Sequence, residues 1–107
     1  MGNVILEKMI NWEDYKFNEE HLIQIIDDDK IFNLKVKMVE YEWSLHRHPL
    51  LADVKIINSN DIEEYPLDSI MRLPIETKDY VNFLLFAPCD KSPGRELKRK
   101  GNIKLLN

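Results

Sequence analysis

The chain has 107 residues, of which 44 % are apolar and 32 % charged, with a formal net charge of −4. That is the size of one domain with enough apolar material for a core, which excludes an intrinsically disordered chain. No apolar run approaches the ~18 residues of a bilayer-spanning helix. The charge is uneven: residues 91–107 carry Lys91, Arg95, Lys98, Arg99, Lys100 and Lys104 against Glu96 alone, so +5 follows a body of −9.

The start, Met1-Gly2-Asn3-Val4-Ile5-Leu6-Glu7-Lys8, lacks the basic region of a signal peptide. Leu6 stands where a myristoylation signal wants Ser or Thr. The single cysteine, Cys89, has no partner for an internal disulfide. These features predict a cytoplasmic protein. Val4 to Ile10 suits either a short helix or an edge strand, because periodicity does not decide between them. Residues 11–17 read as irregular, with Trp12, Tyr15 and Phe17 available to cover a core.

Asn18 is a good N-cap residue, and Glu19 and Glu20 suit the positive end of a helix dipole. Leu22, Ile25, Ile26 and Asp29 then fall at i, i+3, i+4 and i+7. This spacing predicts a helix over 19–28. Phe32, Leu34, Val36 and Met38 alternate with Asn33, Lys35 and Lys37, which predicts a strand with one wet face. From Val39 the parity flips to Val39, Tyr41 and Trp43, as across a β-bulge.

Ser44 to Ala52 reads as a loop and 53–58 as a second strand. Asn60 with Glu63 resembles a capping box for one helical turn. Residues 67–72 suit another short helix stopped by Pro74. Tyr80 to Ala87 is a third strand, apolar on both faces and therefore central. A Pro/Gly loop, 88–94, leads to a basic segment, 95–102, expected to be mobile. Ile103, Leu105 and Leu106 can dock as a short last strand. The whole predicts an α+β fold: a three- to four-stranded, mostly antiparallel sheet with the helix 19–28 on one face. Residues 1–90 form the compact acidic domain and 91–107 the basic tail, docking at 103–106.

His46 and His48, one residue apart, could reach one metal ion from an extended loop, with His21 or Asp53 as a third ligand. The pattern is weak and more simply read as a polar loop before Pro49. Cys89 has no neighbouring base that would activate a thiolate. With three glycines in the chain there is no phosphate-cradling loop, and there is no Gly-x-Ser-x-Gly. No cofactor is implied. The acidic runs Asp27-Asp28-Asp29, Glu19-Glu20 and Glu63-Glu64 are solvated turns or a patch for a cationic partner. Three aspartates at a helix C-terminus would oppose the dipole.

The leading expectation is a non-enzymatic protein-binding module, most concretely an inhibitor or immunity-type protein that masks a basic surface of its target. Asp27, Asp28, Asp29, Glu40, Tyr41, Glu42 and Trp43 are its candidate contacts, an acidic surround with aromatic anchors. Trp12, Tyr15 and Tyr65 also lie beside acidic residues. The alternative is a nucleic-acid-binding regulator whose tail, through Arg95, Lys98, Arg99 and Lys100, neutralises phosphates. A weaker one is a metal-dependent enzyme built on His46 and His48.

Overall fold

A computed structural model describes residues 9–40, 50–88 and 95–106. It corrects the α+β expectation: the described structure is nearly all β, and its helical content is one 3₁₀ turn, Trp12–Asp14. The strands are β1 (Ile10–Asn11), β2 (Glu20–Asp27), β3 (Lys30–Val39), β4 (Leu51–Ser59), β5 (Ile70–Pro74), β6 (Glu76–Thr77), β7 (Tyr80–Ala87) and β8 (Arg95–Leu105). Six of them form a closed barrel in the order β2-β3-β4-β5-β7-β8, each antiparallel to the next. β1 and β6 pair as a separate two-stranded ribbon.

The predicted helix 19–28 is strand β2 and its turn. Ile23 and Ile25 face the core with His21, while Leu22, Gln24 and Ile26 face outward. The inward histidine hid a period of two, and two outward apolar residues imitated a helical stripe. β-Branched isoleucines suit the pleated surface better than a helix. Asn18, read as an N-cap, instead takes a left-handed conformation with φ of 65°, which asparagine tolerates. Residues 67–72 likewise belong to a turn and to β5.

β3 and β7 run where the alternation placed them, with Phe32, Leu34, Val36 and Met38 inward on one and Phe83, Leu85 and Ala87 inward on the other. The parity change expected through Val39, Tyr41 and Trp43 lies mostly outside the described residues, but a bulge does occur within them on β4. Lys35 pairs with Asn58 but Val36 with Ile56, so the extra residue is Ile57 on β4. Residues 95–105, expected as a mobile segment with a docking end, form β8, the longest strand.

The pairing is strongly staggered. Glu20 pairs with Lys37, Lys37 with Lys55, Lys55 with Ile70, Ile70 with Phe86 and Phe86 with Glu96, yet β2 meets β8 at Asn102 through Leu105. This displacement is the shear that tilts the strands and lets a small barrel close around side chains. Ile23, Ile25, Val36, Val54, Ile56, Met71, Leu73 and Leu85 fill the interior.

Each end of the barrel has an aromatic plug. At one end Trp12 is fully buried; its Nε1 donates to Thr77 Oγ1 at 3.0 Å, and that hydroxyl donates to the Pro74 carbonyl at 2.8 Å. Tyr15 stands edge-on to Trp12 and to His21. At the other end Tyr65, from the β4–β5 loop, packs 4.7 Å from Phe32. Arg99 lies over Tyr65, its guanidinium donating to the Glu64 carbonyl.

Closure brings β8 close to β2 at Gly101. A β-carbon there would meet Ile25 Cγ2 at 2.7 Å and the Ile26 carbonyl oxygen at 3.0 Å. Gly101→Ala is therefore expected to cost about 1–3 kcal/mol, the usual range for overpacking. Urea denaturation checks this against the exposed neighbour Lys100→Ala, which should change the midpoint little.

Candidate interaction surface

With the interior filled, recognition falls to the surface; the Tyr65 end carries the runs Asp27–Asp29 and Glu63–Glu64, while Glu19–Glu20 stands at the Trp12 end. The β2–β3 hairpin turns through Asp28 and Asp29, with Asp28 at φ of 54°. The three aspartates thus sit at a hairpin tip rather than at a helix end, so no dipole opposes them. Asp27 is half-buried and accepts a hydrogen bond from Tyr80 Oη at 2.7 Å, which ties the start of β7 to this turn.

The β4–β5 loop stands beside the hairpin. Asn60 N donates to the Asn33 carbonyl at 3.1 Å, and Asn33 N donates to Asn60 Oδ1 at 2.9 Å. Asn60 is thus engaged across strands. Asp61 caps the following turn instead, accepting from the Glu63 and Glu64 amides through Oδ1. Glu63 and Glu64 are exposed, Glu64 pairing with Arg99 at 3.5 Å. Among these carboxylates Ile31, Ile62 and Tyr80 remain 53 %, 62 % and 47 % exposed.

The tyrosines report the local field. Burial pushes the Tyr65 hydroxyl above its ordinary value of 10.0; Arg99 opposes the rise, while Asp27, Glu64 and Tyr80 add to it. Tyr80 is pushed up to about 12, first by its hydrogen bond to Asp27 and then by desolvation and by the charges of Asp27 and Asp28.

Only part of the expected contact set comes together. Asp27, Asp28 and Asp29 form one tip. Glu40 follows the far end of β3, roughly 30 Å away at ~3.3 Å per strand residue. Tyr41, Glu42 and Trp43 lie outside the described residues, as do His46, His48 and Cys89. Trp12 and Tyr65 are core plugs rather than surface anchors. Glu63, Glu64, Ile62 and Tyr80 were not assigned to the patch from sequence, because only the barrel register brings 60–65 and 80 beside 27–29.

Strand parity divides the basic candidates. Lys98 and Lys100 are exposed on the outward face of β8, Arg99 turns towards Tyr65, and Arg95 is exposed at the strand's start. The supplementary metal ligands are occupied or enclosed. Asp53 accepts from Arg72 Nε at 2.9 Å and Nη2 at 3.4 Å, and His21 is buried against Tyr15. Among the described residues no three His, Cys, Asp or Glu side chains cluster at metal-holding distance, and no helix is long and apolar enough to cross a membrane.

No protein-family model, curated protein or solved structure matches the chain.

The Tyr80–Asp27 bond predicts a pH response. The folded-state value of Tyr80 lies above its ordinary 10.0, so its contribution to stability is complete below pH 10 and is lost as pH rises through about 12. In an alkaline titration followed by tyrosinate absorbance, Tyr80 should ionise late. Asp27→Asn should bring that step back towards 10.0; an unshifted curve would exclude the carboxylate as its cause.

Proposed function

We propose that this chain is a non-enzymatic protein-binding module whose acidic barrel end docks on a cationic surface of a target, in the manner of a stoichiometric inhibitor. One observation carries the reading: the Asp27–Asp29 tip, bonded to Tyr80, and the Glu63–Glu64 loop, tied to β3 through Asn33 and Asn60, belong to one end of the barrel and leave Ile31, Ile62 and Tyr80 exposed. Apolar groups inside a charged rim give an interface both area and orientation. The like charges steer a cationic partner into encounter and exclude an anionic one. The rigid barrel holds the residues in place before binding, which lowers the ordering cost. A side-chain-filled interior also favours surface recognition over enclosure of a small molecule.

The test uses the immobilised chain and nuclease-treated lysate of its own cells at low salt. A basic protein recovered at one-to-one stoichiometry is expected. Asp28→Lys with Asp29→Lys should slow its association several-fold at low salt. The difference should shrink as ionic strength shortens the reach of the field. An on-rate unchanged by the double reversal would overturn the assignment of this end as the docking face.

A further inference from the structure

A second surface differs from the acidic end in residues, charge and partner. β8 alternates, so Lys98, Lys100 and Lys104 stand on its outward face, all exposed, with Leu97, Gly101 and Ile103 inward. Consecutive outward residues of a strand are roughly 7 Å apart, so Lys98 and Lys100 are neighbours at that spacing and Lys104, beyond Asn102, is about twice as far along, giving a line rather than a cluster. Among the described residues no carboxylate lies within ion-pair distance of any of them, whereas Lys35, Lys55, Arg72 and Arg99 each have one.

The neighbouring strands leave the line unneutralised. On β7, Lys98 faces Leu84 and Lys100 faces Asn82. On β2, Lys104 faces Gln24. These three directly paired positions are uncharged, although the Asp27–Asp29 tip of β2 begins just beyond the Ile26–Asn102 pair. Beside the lysines, the outward face of β7 continues with exposed Tyr80, half-buried Leu84 and half-buried Phe86, the last with the Arg72 guanidinium 5.4 Å from its ring centre. Glu96 is the one carboxylate on the outward face of β8 itself.

We propose that the outer face of β7 and β8 binds single-stranded nucleic acid, with Lys98, Lys100 and Lys104 following the phosphates and Leu84 and Phe86 offering surface to the bases; Tyr80, bound to Asp27, belongs to the acidic end. A line of cations displaces the counterions of a polyanion. Adjacent aromatic and apolar groups accept unstacked bases irrespective of sequence. A duplex keeps its bases stacked and would use only the charge. Arg99, although the neighbour of two of these lysines, is absent from the site because it faces Tyr65 and pairs with Glu64. The proposal is independent of the protein-docking reading, and either can fail alone.

Fluorescence anisotropy of a labelled oligothymidylate, titrated with the full chain across a range of salt, tests it. Three phosphate contacts to a single strand predict a log–log salt slope of about −2. Lys98→Ala with Lys100→Ala and Lys104→Ala should remove most of that slope and weaken low-salt binding at least about tenfold. Glu96→Gln, which deletes the carboxylate on the same face, should tighten binding. All four positions are exposed, and circular dichroism checks that the variants fold. No binding at low salt, or a salt slope unchanged in the triple variant, would overturn the proposal. Equal affinity for inorganic polyphosphate, or for anionic lipid vesicles, would also overturn it, because neither has bases to stack.

Discussion

Ile23–Ile26 on β2 and Asn102–Leu105 on β8 are hydrogen-bonded partners, and through that seam the six-stranded sheet loses both of its edges. Open edges invite pairing with other chains, and closure removes them. The seam also fixes the stagger, the stagger fixes the tilt, and the tilt fixes which side chains meet inside. Gly101 sits at its tightest point, against Ile25 and the Ile26 carbonyl. The two plugs then complete the enclosure: Trp12 held by Thr77 at one end, Tyr65 held under Arg99 at the other.

Closure also decides what the charged residues can do. A strand sends neighbours to opposite faces, so Arg99 and its flanking lysines, one block in the sequence, are separated by a single-residue step. Arg99 is spent on the barrel end, where its guanidinium covers an aromatic ring and satisfies a loop carbonyl. Lys98 and Lys100 keep their charge on the outside. The aspartates divide similarly. Asp27 is bound by Tyr80, while Asp28 and Asp29, forced outward by the hairpin, are exposed.

Legibility in the sequence followed from how cleanly each segment alternates. β3 was readable because Phe32, Leu34, Val36 and Met38 are interrupted only by polar residues. β7 was readable from its continuous apolar run. β2 was not, since its inward set includes His21 and its outward set includes Leu22 and Ile26. β8 was obscured because its inward positions include Arg99 and Gly101, and neither looks like core. The acidic tip was visible as a charge run, but its company was not. Nothing local in the sequence says that residues 60–65 and Tyr80 stand beside residues 27–29; that follows only from non-local pairing. The register likewise separates Glu40 from the tip by the length of β3.

The opposite charges on this small body are set by the same geometry. The acidic tip follows directly on the Ile26–Asn102 pair of the seam, and Tyr80 opposite Asn102 binds Asp27, while Lys98, Lys100 and Lys104 line the outward face of β8 without a carboxylate partner among the described residues. A net charge of −4 understates such a surface, since it averages two regions that would attract opposite partners. On this barrel the arrangement of charge, fixed by register and parity, has more to say about binding than the sum.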